Sequence, residues 1–556
     1  MKEIIAKLIS DEISTKENIE NLIEIPPRED MGDFAFPCFH LAKTEKKSPI
    51  LIADNLAKKL RKKSTKKISN ISSQGAYVNF FLDKTILAQE VFKKVKSKSF
   101  GTTTSGKGKS RLIEYSQPNT HKAFHVGHIR GTSLGESLTR ICKASGEKVV
   151  QMNYSGDTGM HIAKWIWCYK KYHKKEKLKN DEGWIAQIYV EAVKKLKDNE
   201  EFQEEVDAIN KKIETKEDKE INELWKKTRA ASIKSWDKIY KELGAHFDIE
   251  HYESEFEIQA KEKVEELLKK KIAKKDDAIF MDLKKYDLGV WVLLRRDGTV
   301  LYSAKDIVLA LKKFKDYPAD KYLITVGNAQ KLHFEQLVKT LERMGLKEDS
   351  KKYEVLPFGM VRFPDGKMSS RTGNNVLYSD FSKEVIKIAK EGLSKRGVTG
   401  KDATSRAQKI AIASIKYAFL KQDPKKTMIF DPKEAVSFEG DTGPYLLYSY
   451  ARASSISKKV KSKSPIKIFD LKDQETKLLK KINSFEESIE KAYQNLAPNL
   501  IANYSFELAQ TFNEFYHACP VLGSKEEPFR LALVEAFRTT LKKSLDLLGI
   551  ETIEEM

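Results

Sequence analysis

This chain of 556 residues has only four cysteines, which are far apart in sequence: Cys38, Cys142, Cys168 and Cys519. Without a C-x-x-C pair, neither a disulfide framework nor a zinc ribbon is encoded. No run approaches the roughly 18 apolar residues that a membrane span requires. The opening residues, MKEIIAKLISDEIS, mix apolar and charged side chains and lack the apolar segment of a signal peptide. We therefore expect a cytoplasmic protein that makes no membrane contact.

Acidic residues are too few to balance the basic ones. Lys and Arg number 101 against 80 Asp and Glu, which leaves a formal charge of +21 and a pI near 9.3. This excess favours a polyanionic partner such as nucleic acid, although a lysine-rich solvated surface would also account for part of it. With 40% hydrophobic and 10% aromatic residues, the chain is predicted to be globular, with about three or four domains.

The stretch from Arg111 to Lys143 carries the densest group of reactive side chains. An apolar run near Leu112 is followed by a polar turn and by helical spacing, which predicts strand, turn and helix. Because a helix start presents free backbone N–H groups and the positive end of the dipole, we predict a phosphate site there. A glycine in the turn would let a flat base approach the backbone. The turn contains an ammonium group, two imidazoles and this glycine: Lys122, His125, Gly127 and His128.

A second basic cluster follows the last strand predicted for the same region. The segment VLPFGMV is predicted to be a strand, and it leads into a glycine-flanked loop with Lys367, Ser369 and Arg371. Strands that alternate with helices up to this loop favour a Rossmann-like, doubly wound parallel sheet. In such a sheet the loop and the histidine turn would project from the same edge. A triphosphate lying there would be held from two sides.

The remaining sequence divides into flanking segments, giving an α/β plus all-α fold class. Residues 1–100 are predicted to form a small α/β domain, 101–400 the sheet domain with a charged helical insertion at about 170–280, and 401–556 a helical bundle. Gly101–Lys107 resembles the start of a P-loop, but Gly108 replaces the required Ser or Thr and a strand is predicted to follow. An apolar stripe is interpreted as helical core: Leu478, Ile482, Phe485, Ile489, Ala492 and Leu496.

The two basic clusters resemble the signatures of class I aminoacyl-tRNA synthetases, His-Ile-Gly-His and Lys-Met-Ser-Lys-Ser. Further motifs in the same order are similar to the arginyl-tRNA synthetase family: GDFAF and GAYVNFFL near the start, Ser-Gln-Pro-Asn before the histidines, SFEGDTGPYLLYSYARASSI, and the end DLLGIETIEEM. The resemblance extends over nearly the whole chain, and the charged insertion lacks recognisable motifs. It implies ligation of L-arginine to tRNA-Arg with ATP, accompanied by Mg²⁺. We expect the chain to be a monomer.

The resemblance also implies which residues contact ATP. His125 and His128 would bind the phosphates as charge builds in the transition state. The family's second loop lysine is replaced by Ser370 here, so Lys122 or Arg371 would supply the missing charge, and the sequence does not choose between them. Gly127 and the strand end Gly359–Met360–Val361 would accept the adenosine. The complete set of predicted ATP contacts is His125, Gly127, His128, Gly359, Met360, Val361, Lys367 and Ser369.

A guanidinium substrate requires a buried carboxylate beside an aromatic wall. Tyr302 and Asp306 lie four residues apart at a predicted strand-to-helix junction and match the family's pocket positions. A carboxylate at a helix start would alternatively serve only the dipole. His333 is interpreted as structural support. Other residues match positions that orient the amino acid: Glu114, Ser116, Asn119 and Gln330.

Two groups of residues match the family's tRNA-contacting positions. Tyr445, Tyr448 and Arg452 share one helical spacing, with core packing as the alternative role, and aromatic and Arg side chains can stack on splayed anticodon bases. Phe512 and Tyr516 form a weaker candidate pair. Met556 also matches the anticodon pocket. The second group matches the loop that grips the tRNA elbow: Gln74, Tyr77 and Asn79.

Two other classes of protein stay open from the sequence, and so do two other specificities within the synthetases. A nucleotidylyltransferase also uses His-x-Gly-His, but would not need the long helical end or so large a basic excess. A non-catalytic tRNA-binding paralogue would lose Lys122, the histidines or Asp306, and all are present. A cysteinyl enzyme would need zinc-ligating cysteines, and a glutamyl enzyme a cationic pocket wall in place of Asp306.

Overall fold

The computed structural model describes residues 2–13, 17–26, 28–63, 65–364, 376–459, 465–468 and 470–556. The chain forms two compact units. One comprises Met1–Phe100, Ile456–Ser484 and Gln510–Thr539, and the other comprises Gly101–Ser455, Phe485–Ala509 and Thr540–Met556. Within the described ranges, every helix is too short or too polar to span a lipid bilayer.

The amino-terminal segment is an antiparallel sheet covered by helices. Its elements are α1 (Lys2–Ser10), α2 (Ile19–Leu22), β1 (Phe34–Pro37), α3 (Leu41–Glu45), α4 (Pro49–Lys62), β2 (Ile68–Gln74), β3 (Tyr77–Leu82) and α5 (Lys84–Val95). The strands lie in the order β1-β3-β2, with antiparallel neighbours. Leu56 and Leu60 of α4 share an apolar core with Ile71, Val78 and Phe80 of the sheet. The predicted α/β character of this segment is confirmed.

The second unit is built on a parallel sheet. Up to residue 362 this unit contains nine strands, of which five form the parallel sheet. They are β4 (Ser110–Glu114), β5 (Lys148–Ser155), β6 (Ile249–Tyr252), β7 (Lys274–Lys275), β8 (Ile279–Asp282), β9 (Val290–Leu294), β10 (Lys321–Gly327), β11 (Tyr353–Phe358) and β12 (Val361–Arg362). Its helices up to this point are α6 (Val126–Ala144), α7 (Met160–Cys168), α8 (Glu182–Asp198), α9 (Phe202–Thr215), α10 (Lys219–Leu243), α11 (Glu257–Lys269), α12 (Tyr302–Asp316), α13 (Lys331–Arg343), α14 (Lys347–Ser350) and α15 (Tyr378–Ser394).

The order of the parallel strands places the ligand-binding crevice. Five strands pair as β11-β10-β4-β5-β6, and all of their neighbours are parallel. The chain moves outward from β4 through β5 to β6, and then returns to the other side of β4 with β10. Because the winding direction reverses between β4 and β10, the carboxyl ends of these two strands flank a crevice suited to a nucleotide. The predicted doubly wound sheet is confirmed, and the P-loop lookalike is followed by strand β4 as expected.

Helix α6 packs very closely against the end of β4. A Cβ atom on Gly135 would lie only 2.1 Å from Cγ of Tyr115, so only glycine allows the ring to lie on the helix. The Tyr115 hydroxyl donates to Glu136 at 2.9 Å, and the tyrosine is fully buried. The histidine turn between Tyr115 and α6 is therefore held at both ends.

The charged insertion was predicted to be helical throughout, but the structure contains strands within it. It contains β6, which pairs with β5 as an edge strand of the main sheet, and the small antiparallel sheet β7-β8-β9 begins within it. Strand β6 is only four residues long and includes polar side chains, so its own sequence pattern does not predict a strand. Pairing with β5 overrides local propensity here.

The predicted strand VLPFGMV is broken. Strand β11 ends at Phe358, and β12 pairs instead with a later two-residue strand, Met428–Ile429. Between them, a Cβ atom on Gly359 would lie 2.3 Å from the backbone oxygen of Lys426. This close backbone approach turns the chain out of the main sheet.

The carboxy-terminal segment is helical except for that short strand. Its elements are α16 (Lys401–Leu420), β13 (Met428–Ile429), α17 (Pro432–Ala435), α18 (Gly443–Lys458), α19 (Asp473–Asn483), α20 (Phe485–Asn495), α21 (Pro498–Ala518) and α22 (Glu527–Leu547). The predicted apolar stripe is buried from Leu478 to Ala492, although it runs over two helices rather than one. Leu496 lies beyond the second helix and is only half-buried.

Candidate active site

The turn after β4 ends in a helix cap made of two imidazoles. Nδ1 of His125 accepts the backbone N–H of Gly127 at 3.2 Å, and Nδ1 of His128 accepts the N–H of His125 at 3.2 Å. The two rings stack with centroids 3.8 Å apart. Because each Nδ1 is an acceptor, each neutral ring carries its proton on Nε2. Both rings can therefore donate a hydrogen bond to an anionic oxygen.

The two imidazoles are uncharged near neutral pH. Burial lowers the pKa of His125 to about 4, and the nearby Lys122 ammonium adds to this shift. The pKa of His128 is lowered well below its ordinary value by burial, with further effects of His125 and Lys122. Their contribution to phosphate binding is N–H donation rather than positive charge.

The prediction of free backbone N–H groups at the start of α6 is wrong. The N–H of Val126 donates to the carbonyl of Val376 at 3.3 Å, and the N–H of His128 donates to the carbonyl of His125 at 2.8 Å. The N–H of Gly127 between them is taken by the His125 ring. A phosphate at this turn would therefore be bound by side chains.

A cavity of about 190 Å³ opens beside the histidine turn. Lys122 is half-buried there, with its Nζ 5.7 Å from the ring centroid of Tyr189 on helix α8. Burial lowers the pKa of Lys122, and Glu253 opposes this shift. Among the described lining residues, Lys122 alone carries a formal charge. The cavity is lined by Asn119, Lys122, Ala123, His125, His128, Ala186, Tyr189 and Val190.

We expect Tyr189→Ala to slow ATP–pyrophosphate exchange about fivefold. The aromatic face attracts the ammonium of Lys122 by about 1 kcal/mol, and without it the ammonium loses its fixed position in the cavity. Steady-state exchange rates at saturating ATP would measure the effect. Tyr189→Phe is the matched control, since it keeps the ring and should react at nearly the normal rate. A Phe variant as slow as the Ala variant would contradict this explanation.

A buried carboxylate lies at the start of α12. Nδ1 of His333 accepts the indole N–H of Trp291 at 3.0 Å, so its Nε2 donates to Oδ2 of Asp306 at 2.5 Å. This bond fixes the carboxylate and leaves Oδ1 without a bonded donor among the described residues. The ring of Tyr302 lies 4.7 Å from that of His333 and is 55% exposed. The site offers a buried anion and an accessible aromatic wall.

A short series of contacts connects this carboxylate with the cavity. A Cβ atom on Gly156 would lie 2.2 Å from Oδ1 of Asn119 and 3.1 Å from Oε1 of Glu253. Glu253 forms an ion pair at 3.3 Å with Lys305, which directly precedes Asp306. The carboxylate pocket and the histidine cavity are therefore neighbours at the carboxyl edge of the sheet.

Other residues predicted to orient the amino acid have different surroundings. Glu114 is buried in an ion pair with Lys313, and Oγ of Ser116 lies 3.0 Å from the Tyr240 hydroxyl. Gln330 is exposed just beyond the carboxyl end of β10. The structure thus places Asn119 in the cavity and Gln330 at the crevice, while Glu114 and Ser116 already have buried partners. Their roles toward arginine stay predictions.

The predicted adenosine contacts surround the break between β11 and β12. Nη1 of the buried Arg130 on α6 donates to the carbonyl of Gly359 at 2.6 Å. Met360 is 61% exposed, whereas Gly359 is buried against the backbone of Lys426. Arg130 therefore fixes this strand end to the histidine helix. The contact of Gly359, Met360 and Val361 with adenosine stays a prediction.

The predicted basic loop residues Lys367, Ser369 and Arg371 lie outside the described residues. Val376 and Leu377 follow the loop and contact the histidine turn. Leu377 forms a bridge with His125, in addition to the hydrogen bond between Val376 and the start of α6. The carboxyl flank of the loop thus returns to the histidine turn.

The three residues predicted to bind the anticodon lie on helix α18 and are half-buried. Cζ of Arg452 is 4.8 Å above the ring centroid of Tyr448, and the ring of Tyr445 lies 5.7 Å from that of Phe506. Met556 at the chain end is also half-buried. The structure keeps the tyrosines and the guanidinium on one helix face, as their spacing predicts.

The other predicted RNA contacts lie in the amino-terminal sheet and on α21. Gln74 and Tyr77 pair across the β2–β3 turn, whereas Asn79 is buried. Phe512 is fully buried and stacks on Phe537 with centroids 3.8 Å apart. This placement excludes Phe512 as a surface platform for bases.

Comparison with known proteins decides the family. The model of the tRNA synthetases class I (R) catalytic domain matches residues 90–432, that of the DALR anticodon binding domain matches 446–556, and that of the arginyl tRNA synthetase N terminal domain matches 1–82. The chain belongs to the arginyl-tRNA synthetases. The arginine–tRNA ligase of Clostridium perfringens is 35% identical over 567 residues, and that of Clostridium acetobutylicum is 36% identical over 566; both matches cover all of each chain.

A solved structure of the same family has the same fold. The arginyl-tRNA synthetase of Thermus thermophilus superposes with a TM-score of 0.82 at 24% identity, and the match covers 100% of each chain. The predicted fold class is thereby confirmed, and membership in the arginyl-tRNA synthetases decides against the nucleotidylyltransferase, glutamyl and cysteinyl alternatives.

Sequence reasoning missed several residues of this arginyl-tRNA synthetase site. Tyr189 lies in the charged insertion, whose helical pattern gave no sign that α8 covers the cavity. The buried Lys305 forms an ion pair with the half-buried Glu253, and no motif marks either residue. A Gly-rich loop after β5 was the available signal for Gly156, because a glycine beside a strand end permits close side-chain approach.

Proposed function

We propose that this chain joins L-arginine to tRNA-Arg in two steps at the crevice between β4 and β10. In the first step a carboxylate oxygen of arginine attacks the α-phosphorus of ATP. A new P–O bond forms, the bond to the bridging oxygen breaks, and pyrophosphate leaves. In the second step the terminal ribose hydroxyl of tRNA attacks the arginyl carbonyl carbon, AMP leaves, and the hydroxyl proton is released. Mg²⁺ enters with ATP as part of the substrate.

This proposal rests on the position of two neighbouring sites, one suited to phosphate and the other to a guanidinium. The cavity at the histidine turn supplies one ammonium and two Nε2–H donors, which suit phosphate oxygens whose negative charge grows during displacement. The neighbouring pocket supplies the fixed carboxylate of Asp306 and the ring of Tyr302, which suit a guanidinium. All of these groups come from one chain, so the proposal requires no second subunit.

The proposed roles follow this division. Lys122, His125 and His128 would stabilise the phosphates, together with Lys367 and Arg371 of the loop outside the described residues. Asp306 and Tyr302 would bind the guanidinium, while Asn119 and Gln330 would orient the amino acid's reactive end. The helix face of α18 would stack on anticodon bases.

ATP–pyrophosphate exchange across the twenty amino acids, with and without tRNA, tests the proposal. We expect exchange with arginine alone. Exchange that is supported by another amino acid, or absent with arginine in the presence of tRNA, would contradict it.

Simultaneous replacement of Tyr445, Tyr448 and Arg452 by alanine should lower kcat/KM for tRNA by about 100-fold or more. Each stacked base is worth about 1–3 kcal/mol, so the loss of several contacts weakens tRNA binding strongly. The KM for ATP should stay within twofold, because α18 supplies no lining residue of the described cavity. Charging rates at varied tRNA concentration would measure both effects.

Lys383→Ala is the control for this triple variant, since it removes one exposed positive charge from helix α15. It should charge tRNA almost normally. Equal loss in the control would indicate a general electrostatic effect, and normal charging by the triple variant would remove α18 from the RNA interface.

A further inference from the structure

Three potential metal ligands meet in the insertion, away from the lining of the histidine cavity. Ligand atoms of Cys168, His173 and Glu191 all lie within 4.8 Å of one another. Cys168 is fully buried, while His173 and Glu191 are half-buried at the rim. We call these three residues the insertion cluster. Its S, N and O ligands are the set that zinc binds in proteins.

A break in helix geometry brings two of these ligands together. Helix α7 ends at Cys168, and the next five residues, Tyr169–His173, form a π-helical turn. Side chains five residues apart on an α-helix point in directions that differ by about 140°. The wider π turn reduces this divergence, and such turns often occur at functional sites. Cys168 and His173 thereby face the same residue of α8, Glu191.

The orientation of His173 resembles that of a metal-binding imidazole. Its Nδ1 lies 2.6 Å from Oε1 of Glu176, and its Nε2 lies 2.9 Å from Oε2 of Glu191. Oε2 of Glu176 in turn accepts the indole N–H of Trp184 at 2.9 Å. A carboxylate on the outer ring nitrogen is the usual arrangement that aims the inner nitrogen at a metal ion.

The surrounding charges are compatible with a divalent cation. Nζ of Lys195 lies 3.4 Å from Oε1 of Glu191, and Nζ of Lys179 lies 4.0 Å from Glu176. Two carboxylates and a thiolate would together exceed these two lysine charges. A divalent ion would more than offset the remaining negative charge once the thiol proton has been released.

We propose that Cys168 Sγ, His173 Nε2 and Glu191 Oε2 bind one zinc ion, with water as the fourth ligand. The ion joins the π turn to helix α8. Glu191 lies two residues beyond Tyr189, whose ring faces Lys122 in the histidine cavity. The zinc ion therefore fixes the position of the helix that covers the cavity. Zinc binding itself does not depend on the proposed aminoacylation.

Direct binding measurements on the full chain test this site. Metal-free protein would be titrated with Zn²⁺ against a chromophoric chelator, and separately with Co²⁺ while absorption is recorded. We expect one ion per chain and, with Co²⁺, a thiolate-to-metal charge-transfer band. Cys168→Ser should abolish the band and weaken Zn²⁺ binding at least 100-fold. Glu176→Gln should weaken it about 10- to 100-fold, because the imidazole loses its orienting carboxylate.

Cys142→Ser is the matched control, since Cys142 is equally buried but lies on α6. It should keep both the stoichiometry and the band. Glu191→Gln at the half-buried rim gives a second ligand variant if Cys168→Ser fails to fold, and it should weaken Zn²⁺ binding at least 10-fold. Absence of the band in the parent chain, or unchanged Zn²⁺ affinity in the ligand variants, would overturn the proposal.

Discussion

Lys122→Ala should slow ATP–pyrophosphate exchange with arginine by about 100- to 1,000-fold. The two histidines beside it are neutral, so Lys122 supplies the formal positive charge among the described residues that line the cavity. Removing one donor aimed at developing negative charge typically costs a factor of this size. Exchange rates at saturating ATP and arginine, with tRNA present, would measure the loss.

Two further variants make the Lys122 experiment decisive. Lys164→Ala removes a neighbouring ammonium that does not line the cavity, and it should react almost normally. Arg371→Ala tests the other candidate for the missing loop lysine. Near-normal exchange in Lys122→Ala together with a severe loss in Arg371→Ala would transfer the role to the loop.

Asp306→Ala should raise the KM for arginine by about 100-fold or more while leaving the KM for ATP within about threefold. The substrate guanidinium would lose its buried ionic partner, a loss typically worth 2–5 kcal/mol. Asp306→Asn keeps the shape and an acceptor for His333, and should still raise the KM because the negative charge is gone. Initial rates at varied arginine and at varied ATP would separate the two constants.

The control for Asp306 is Asp297→Ala, which removes an exposed carboxylate from the turn before α12. Circular dichroism would show that each variant is folded. An unchanged arginine KM in Asp306→Ala would remove this residue from the pocket, whatever its effect on stability.

Local patterns correctly predicted the secondary structure around the histidine turn. The strand, turn and helix around the histidines depend on apolar runs and helical spacing within about 30 residues, and the structure has β4, the turn and α6 there. The structure also places Lys122, His125 and His128 together because they occupy a single turn. Residues close in sequence on one short segment cannot lie far apart in space.

Predictions that depended on a distant partner were less successful. The N–H groups of α6 were expected to be free, but Val376 and the His125 ring occupy those of Val126 and Gly127. Strand β6 was missed because its pairing with β5 is the main reason it is extended. The break at Gly359 depends on the backbone of Lys426, which is distant in sequence.

The sequence by itself determined the family, the alternation of strands and helices in the sheet domain, and the types of side chain available at the site. Only the tertiary structure decided their states and neighbours: two neutral imidazoles with Nε2–H, a carboxylate fixed by His333, and Tyr189 facing Lys122. The physical reason is the distance along the chain over which each effect acts. Propensity and periodicity act over one or two turns, whereas burial, tautomer and ion pairing depend on groups that the folded chain brings from far away.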